Sequence, residues 1–79
     1  MSKIGDIIKI KALTKKMKDR INSYGANWVI TQITNCTIQG EDYDTLLKSV
    51  DKAFKIGPNQ YEEYGMWVKI DRDCEVINE

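Results

Sequence analysis

Histidine is absent from the 79-residue chain. With it go the commonest general base, the imidazole of serine and cysteine triads, and most zinc sites. Glycine is scarce and scattered, five residues in all, so no phosphate-cradling loop can be assembled. The three serines, Ser2, Ser23 and Ser49, stand in no nucleophile-elbow setting. An enzyme is therefore not expected, and no cofactor is implied. Cysteine occurs only as Cys36 and Cys74, without a CxxC pair, which withholds the spacing of zinc and thioredoxin-type sites. Reduced, buried thiols are expected, packed as small hydrophobes. Long apolar runs are missing too. The longest uncharged stretch, Ile21 to Gly40, is studded with Asn22, Ser23, Asn27, Thr31, Gln32, Thr34, Asn35, Thr37 and Gln39, too polar for hydrocarbon. Near the amino end Lys3 and Asp6 interrupt the isoleucines, unlike a secretory signal. A cytoplasmic protein with no membrane contact is expected.

What remains is ordinary for a folded domain: 42% hydrophobic and 30% charged residues. This length holds one core, so residues 1–79 are read as a single domain. Carboxylates gather at Glu41, Asp42 and Asp44 and again at Asp71, Asp73 and Glu75. Neither group has both the glycine and the distal glutamate of a calcium loop, so solvating and capping roles are expected and no metal.

The formal charge is zero, yet unevenly spread. Residues 1–20 carry Lys3, Lys9, Lys11, Lys15, Lys16, Lys18 and Arg20 against Asp6 and Asp19, a net +5. Residues 21–40 carry no charge, and residues 41–79 carry a net −5. Such a split serves either a basic face for an anionic partner or two halves that attract each other on folding.

Along the chain, Asp6 to Ala12 alternates isoleucine with lysine, the period of a half-buried strand with Ile8, Ile10 and Ala12 inward. Leu13, Met17, Ile21 and Tyr24 then recur at helical spacing, with Thr14 as a cap and Gly25 as a stop, so a short helical turn is predicted. Trp28 to Thr34 reads as a second strand. Asn35 and Cys36 should break it, with Thr37 to Gln39 beginning a hairpin partner. Residues 41–56 are ambiguous. As a helix they gather Tyr43, Leu46, Leu47, Val50 and Phe54 on one side, and Gly57-Pro58 ends them. As a hairpin, Thr45 to Val50 and Ala53 to Ile56 would meet at Asp51-Lys52, a turn without the preferred glycine. Periodicity favours the helix. Asn59 to Gly65 reads as a tyrosine-bearing loop, Met66 to Ile70 as a strand, Asp71-Arg72-Asp73 as a turn and Cys74 to Ile77 as a closing strand.

Three pieces carry a family resemblance: Ile4 to Ile10, Tyr24 to Ile30, and Trp67 to Ile77, the last a tryptophan–valine strand, an acidic turn and a strand ending Glu-Val-Ile. Together they resemble small SH3-like barrels of short phage and prophage proteins, some of them KOW-like. The resemblance covers about half the chain and draws Leu46 to Ile56 toward the hairpin. The chain departs from the pattern in lacking a turn glycine near Asp51 and in having Arg72 between the acidic positions. The expected fold is mainly β, an SH3-like barrel with a short helical turn, the alternative being an α+β arrangement in β-α-β-α-β order.

A non-catalytic binding module follows. Lys9 and Lys11, joined by Lys15, Lys16, Lys18 and Arg20, can neutralise phosphates, and Tyr24 and Trp28 beside them are candidates for stacking on unpaired bases. RNA or another single-stranded nucleic acid is the favoured partner, since zero net charge disfavours tight non-specific duplex binding. The alternative is a protein-interaction surface of Tyr43, Tyr61, Glu62, Glu63, Tyr64 and Met66, aromatic with an acidic rim. The phage-type resemblance implies that such a surface would occupy the nucleic-acid site of a basic host protein or enzyme. For both aromatic groups, plain core packing is the competing assignment.

Overall fold

Isoleucines and lysines in alternation make β1, Ile7–Ala12, with Ile8 and Ile10 buried and Lys9 and Lys11 exposed. The structure is a computed structural model, and it describes residues 3–78; Ser2 and Glu79 lie outside them. After β1 come α1 (Lys15–Tyr24), β2 (Asn27–Ile38), β3 (Glu41–Gly57), β4 (Gln60–Val68) and β5 (Cys74–Asn78). The strands form one five-stranded sheet in the order β4-β3-β2-β1-β5, every ladder antiparallel. The mainly-β expectation with one short helix holds.

Every element sends a side chain to one core: Ile8 and Ile10, Met17, Trp28 and Ile30, Leu47, Val68 and Cys74. Five strands can share one core only if the sheet curls, and the register shifts show where it bends. They fall at Lys9/Ile10 in β1, at Ile30/Gln32 and Ile33/Cys36 in β2, and at Lys48/Ala53 and Lys55/Gly57 in β3. Such bulges sharpen the local bend and twist of a strand. Past them β2 and β3 leave the core. Most of Gln32–Ile38 and all of Val50–Ile56 are exposed, so two hairpin ribbons project, their tips at Gln39-Gly40 and Pro58-Asn59.

Residues 41–56 are therefore neither the favoured helix nor the hairpin, but one continuous strand. Tyr43, Leu46, Leu47, Val50 and Phe54 do recur at helical spacing. Thr45, Leu47 and Ser49, however, are buried at alternate positions, and ladders on both flanks, to β2 and β4, override the local period. Two smaller expectations also fail. β2 runs unbroken through Asn35 and Cys36, a bulge absorbing the irregularity. The expected loop at Asn59–Gly65 is mostly strand, because Phe54 and Lys55 pair with Glu62 and Tyr61.

Ser49 fastens the bend of β3. Fully buried, its hydroxyl donates to the Tyr24 carbonyl at 2.7 Å and accepts from the N–H groups of Asp51 and Lys52, each at 3.2 Å. The helix end is thereby tied to the sheet. The Asp51 carboxylate adds bonds from the backbone N–H and side-chain amide of Asn27. No helix is long and apolar enough to cross a membrane among the described residues.

Candidate nucleic-acid interface

The helix decides where the cations go. Thr14 caps it, its Oγ1 accepting from the Met17 N–H at 3.2 Å, and Gly25 ends it with φ 97°. Met17 is buried, with Ile21 and Tyr24 packed against the core. At 3.6 residues per turn, that inward stripe leaves two separate flanks. Lys15, Lys18 and Asn22, three and four apart, share one; Lys16 and Arg20, four apart, share the other.

The expected continuous patch is thus divided. Lys9, Lys11 and Lys18 line a shallow groove of about 460 Å³ floored by Ile10, Ile21 and Ala26. Lys15 and Lys18 line an adjoining groove of about 530 Å³, and Lys18 and Asn22 belong to both. All four lysines are exposed. The ion pairs among the described residues join Lys69 to Asp44 and Arg72 to Asp73, and take up none of these ammonium groups. Two carboxylates stand nearby, Asp19 on the groove wall and Glu75 opposite Lys11 across the β1–β5 ladder. The face stays cationic.

Neither stacking candidate reaches it. Trp28 is fully buried, its ring edge-on to Tyr64 at 6.2 Å and its indole N–H donating to the Gly25 carbonyl at 3.0 Å. It cannot meet a base. Tyr24 lies half-buried, its ring parallel to that of Tyr64 with centroids 3.9 Å apart, so one face is already occupied. In so small a domain a large ring at the start of a central strand is consumed by the core.

Lys16 and Arg20 look the other way, into a cleft of about 590 Å³ between α1 and the β3–β4 ribbon. The Arg20 guanidinium lies 5.5 Å from the centroid of the Tyr64 ring, within cation–π range. Tyr43, Glu62, Glu63, Tyr64 and Met66 line the same cleft. Cationic and acidic-aromatic candidates, distant in sequence, are two walls of one depression. Much of the aromatic set is engaged internally. Tyr64 and Met66 pack against the core. The Tyr43 hydroxyl donates to Glu41 at 3.1 Å, which holds the phenol above its ordinary pKa. Tyr61, Glu62 and Glu63 are exposed. Lys48 and Phe54 of β3 and Arg72 of the turn before β5 also line the cleft; sequence reading missed them because only the β3–β4 pairing and the turn that follows β4 bring them there.

The acidic groups serve structural bonds. Asp44 accepts from the Ile70 N–H at 3.2 Å and pairs with Lys69. Asp73 receives two bonds from Arg72 at 2.9 Å, and that guanidinium holds its carboxyl below the usual carboxylate range. No group of three or more His, Cys, Asp or Glu residues that could hold a metal ion occurs among the described residues. Both cysteines are free; Cys74 is buried, whereas Cys36 is only half-buried. Burial pushes the Cys74 thiol up to about 12. A thiol reagent on the native protein should therefore label Cys36 alone, with Cys74 reacting only after denaturation; equal native rates would contradict the packing. Because folding raises this pKa, the unfolded chain loses the proton first, and the contribution to stability fades as pH climbs from about 9 toward 12.

Comparison with known proteins finds no matching family model, no matching curated protein and no matching solved structure.

Proposed function

We propose that this chain is a small non-catalytic binding module, an SH3-like barrel in architecture, that takes nucleic acid, RNA in preference, onto the face carrying Lys9, Lys11, Lys15 and Lys18. One observation carries the reading: four exposed ammonium groups from β1 and α1 surround two adjoining grooves and enter no ion pair among the described residues. Phosphates brought there would displace condensed counterions, which is the main source of sequence-independent affinity. With Trp28 buried and Tyr24 stacked on Tyr64, the binding rests on backbone contacts rather than on base stacking. A structured RNA, whose folded backbone presents closely spaced phosphates, suits such a face better than an extended strand.

Changing Lys9, Lys11, Lys15 and Lys18 together to alanine is expected to lower affinity for a labelled RNA hairpin at least ~10-fold and to make the plot of log affinity against log salt shallower by about 3. Fluorescence anisotropy across a salt series measures both. Lys16→Ala with Arg20→Ala, on the opposite flank, should change little. Equal losses from the two variants, or none from the first, would overturn the assignment.

A further inference from the structure

β4 forms one margin of the sheet and pairs through its backbone with β3 alone. Among the described residues no other backbone hydrogen bond reaches Tyr61–Trp67. Six consecutive residues, Glu62 to Trp67, line the cleft. Successive side chains of a strand point to opposite faces, so a cleft touched by all six runs along the strand's edge. Such an edge, with a row of free N–H and C=O groups, is a template for another strand. β4 contains no proline or lysine to discourage pairing.

Charge along this edge changes sign. Glu62 and Glu63, near its start, are exposed and enter no ion pair among the described residues. Further on, Lys48 of β3 stands opposite Gly65, and its stem lies over that glycine. A Cβ at Gly65 would sit 3.5 Å from Lys48 Cγ and 3.7 Å from its Cε. The missing side chain lets the lysine reach across β4 toward the open side.

We propose that β4 pairs antiparallel with β4 of a second copy of this chain, about a two-fold axis at Gly65. An antiparallel two-fold pair reverses the strand, so the acidic start of each β4 meets the later half of the other. Glu63 then stands opposite Trp67 of the second copy, diagonal to that copy's Gly65 and the Lys48 lying over it. Glu62 faces Val68, and no two carboxylates oppose each other. A second copy supplies both charges at matching spacing on both sides of the axis, with only hydrogen where the strands cross. The inference stands apart from the nucleic-acid reading, although a dimer would present two lysine faces on one particle.

Sedimentation equilibrium from about 1 µM to about 1 mM should show a species of twice 9.1 kDa. Hydrogen exchange should show protection of the outward β4 amides that rises with concentration. Glu63→Lys and Lys48→Glu should each weaken self-association ~10-fold or more, and the two combined should restore it to within about 3-fold; circular dichroism checks that each variant folds. A monomer at the top concentration overturns the proposal. So does a dimer indifferent to both reversals, or one that protects amides elsewhere than β4.

Discussion

Trp28→Ala is expected to destabilise the domain by about 3–5 kcal/mol and to lower its melting temperature by on the order of 20 °C. The indole is fully buried and opens β2, where its backbone pairs with Ile8 on one side and Ser49 on the other. Truncation would remove the ring that Tyr64 meets edge-on and leave the Gly25 carbonyl without the indole donor. Total stability in domains of this size is about 5–10 kcal/mol, so most of it would be lost. Trp28→Phe keeps a smaller aromatic ring without the donor and should lose less, about 1–3 kcal/mol. Thermal melts followed by circular dichroism decide the matter. An alanine variant melting within a few degrees of the parent would mean that the core is not organised around this side chain.

Gly25→Ala should be nearly as damaging, at about 3 kcal/mol, although it adds a single methyl group. The backbone there, at φ 97° and ψ 174°, lies in a region open to glycine and hostile to other residues. An added Cβ would stand 2.7 Å from Asp51 Cβ and 2.9 Å from its Cγ, with Oδ2 nearer still. Asp51 cannot easily yield, because its carboxylate is held by the backbone and side chain of Asn27. Gly40 provides the comparison: its φ is 81° and nothing lies within 4 Å of an added Cβ. Gly40→Ala should lose only about 1 kcal/mol, and the difference between the two isolates the collision with Asp51. Denaturant titrations giving equal losses would show that backbone strain alone sets the effect.

The elements visible in the sequence are those whose stability signals are local. β1 announces itself through Ile8 and Ile10 alternating with Lys9 and Lys11, and α1 through the spacing of Met17, Ile21 and Tyr24 between Thr14 and Gly25. β3 and the start of β4 were not visible, because what makes them strands lies elsewhere in the chain. Leu46 and Leu47 suit either structure, and the choice is made by β2 and β4 supplying ladders on both flanks. The bulges add to the difficulty. Those in β2 and β3 insert extra residues, one in each case but three between Lys48 and Ala53, so no single period describes all of β2 or β3. The candidate site divides in the same way. Outward lysines on β1 follow from simple alternation, but the separation of Lys16 and Arg20 from Lys15 and Lys18 depends on which side of α1 the ribbon lies. The fate of Trp28 and Tyr24 depends on Tyr64, thirty-six and forty residues further along respectively.

β3 belongs to both ribbons, and this governs where the chain can change length. A residue added between Thr45 and Ser49 would disturb the pairing with β2 and with β4 together, turning buried side chains outward on both sides. At Gln39-Gly40 or Pro58-Asn59 an addition only lengthens a turn in water. Grafted loops and reporter tags belong at those two tips, far from the curled half of the sheet that keeps the molecule folded.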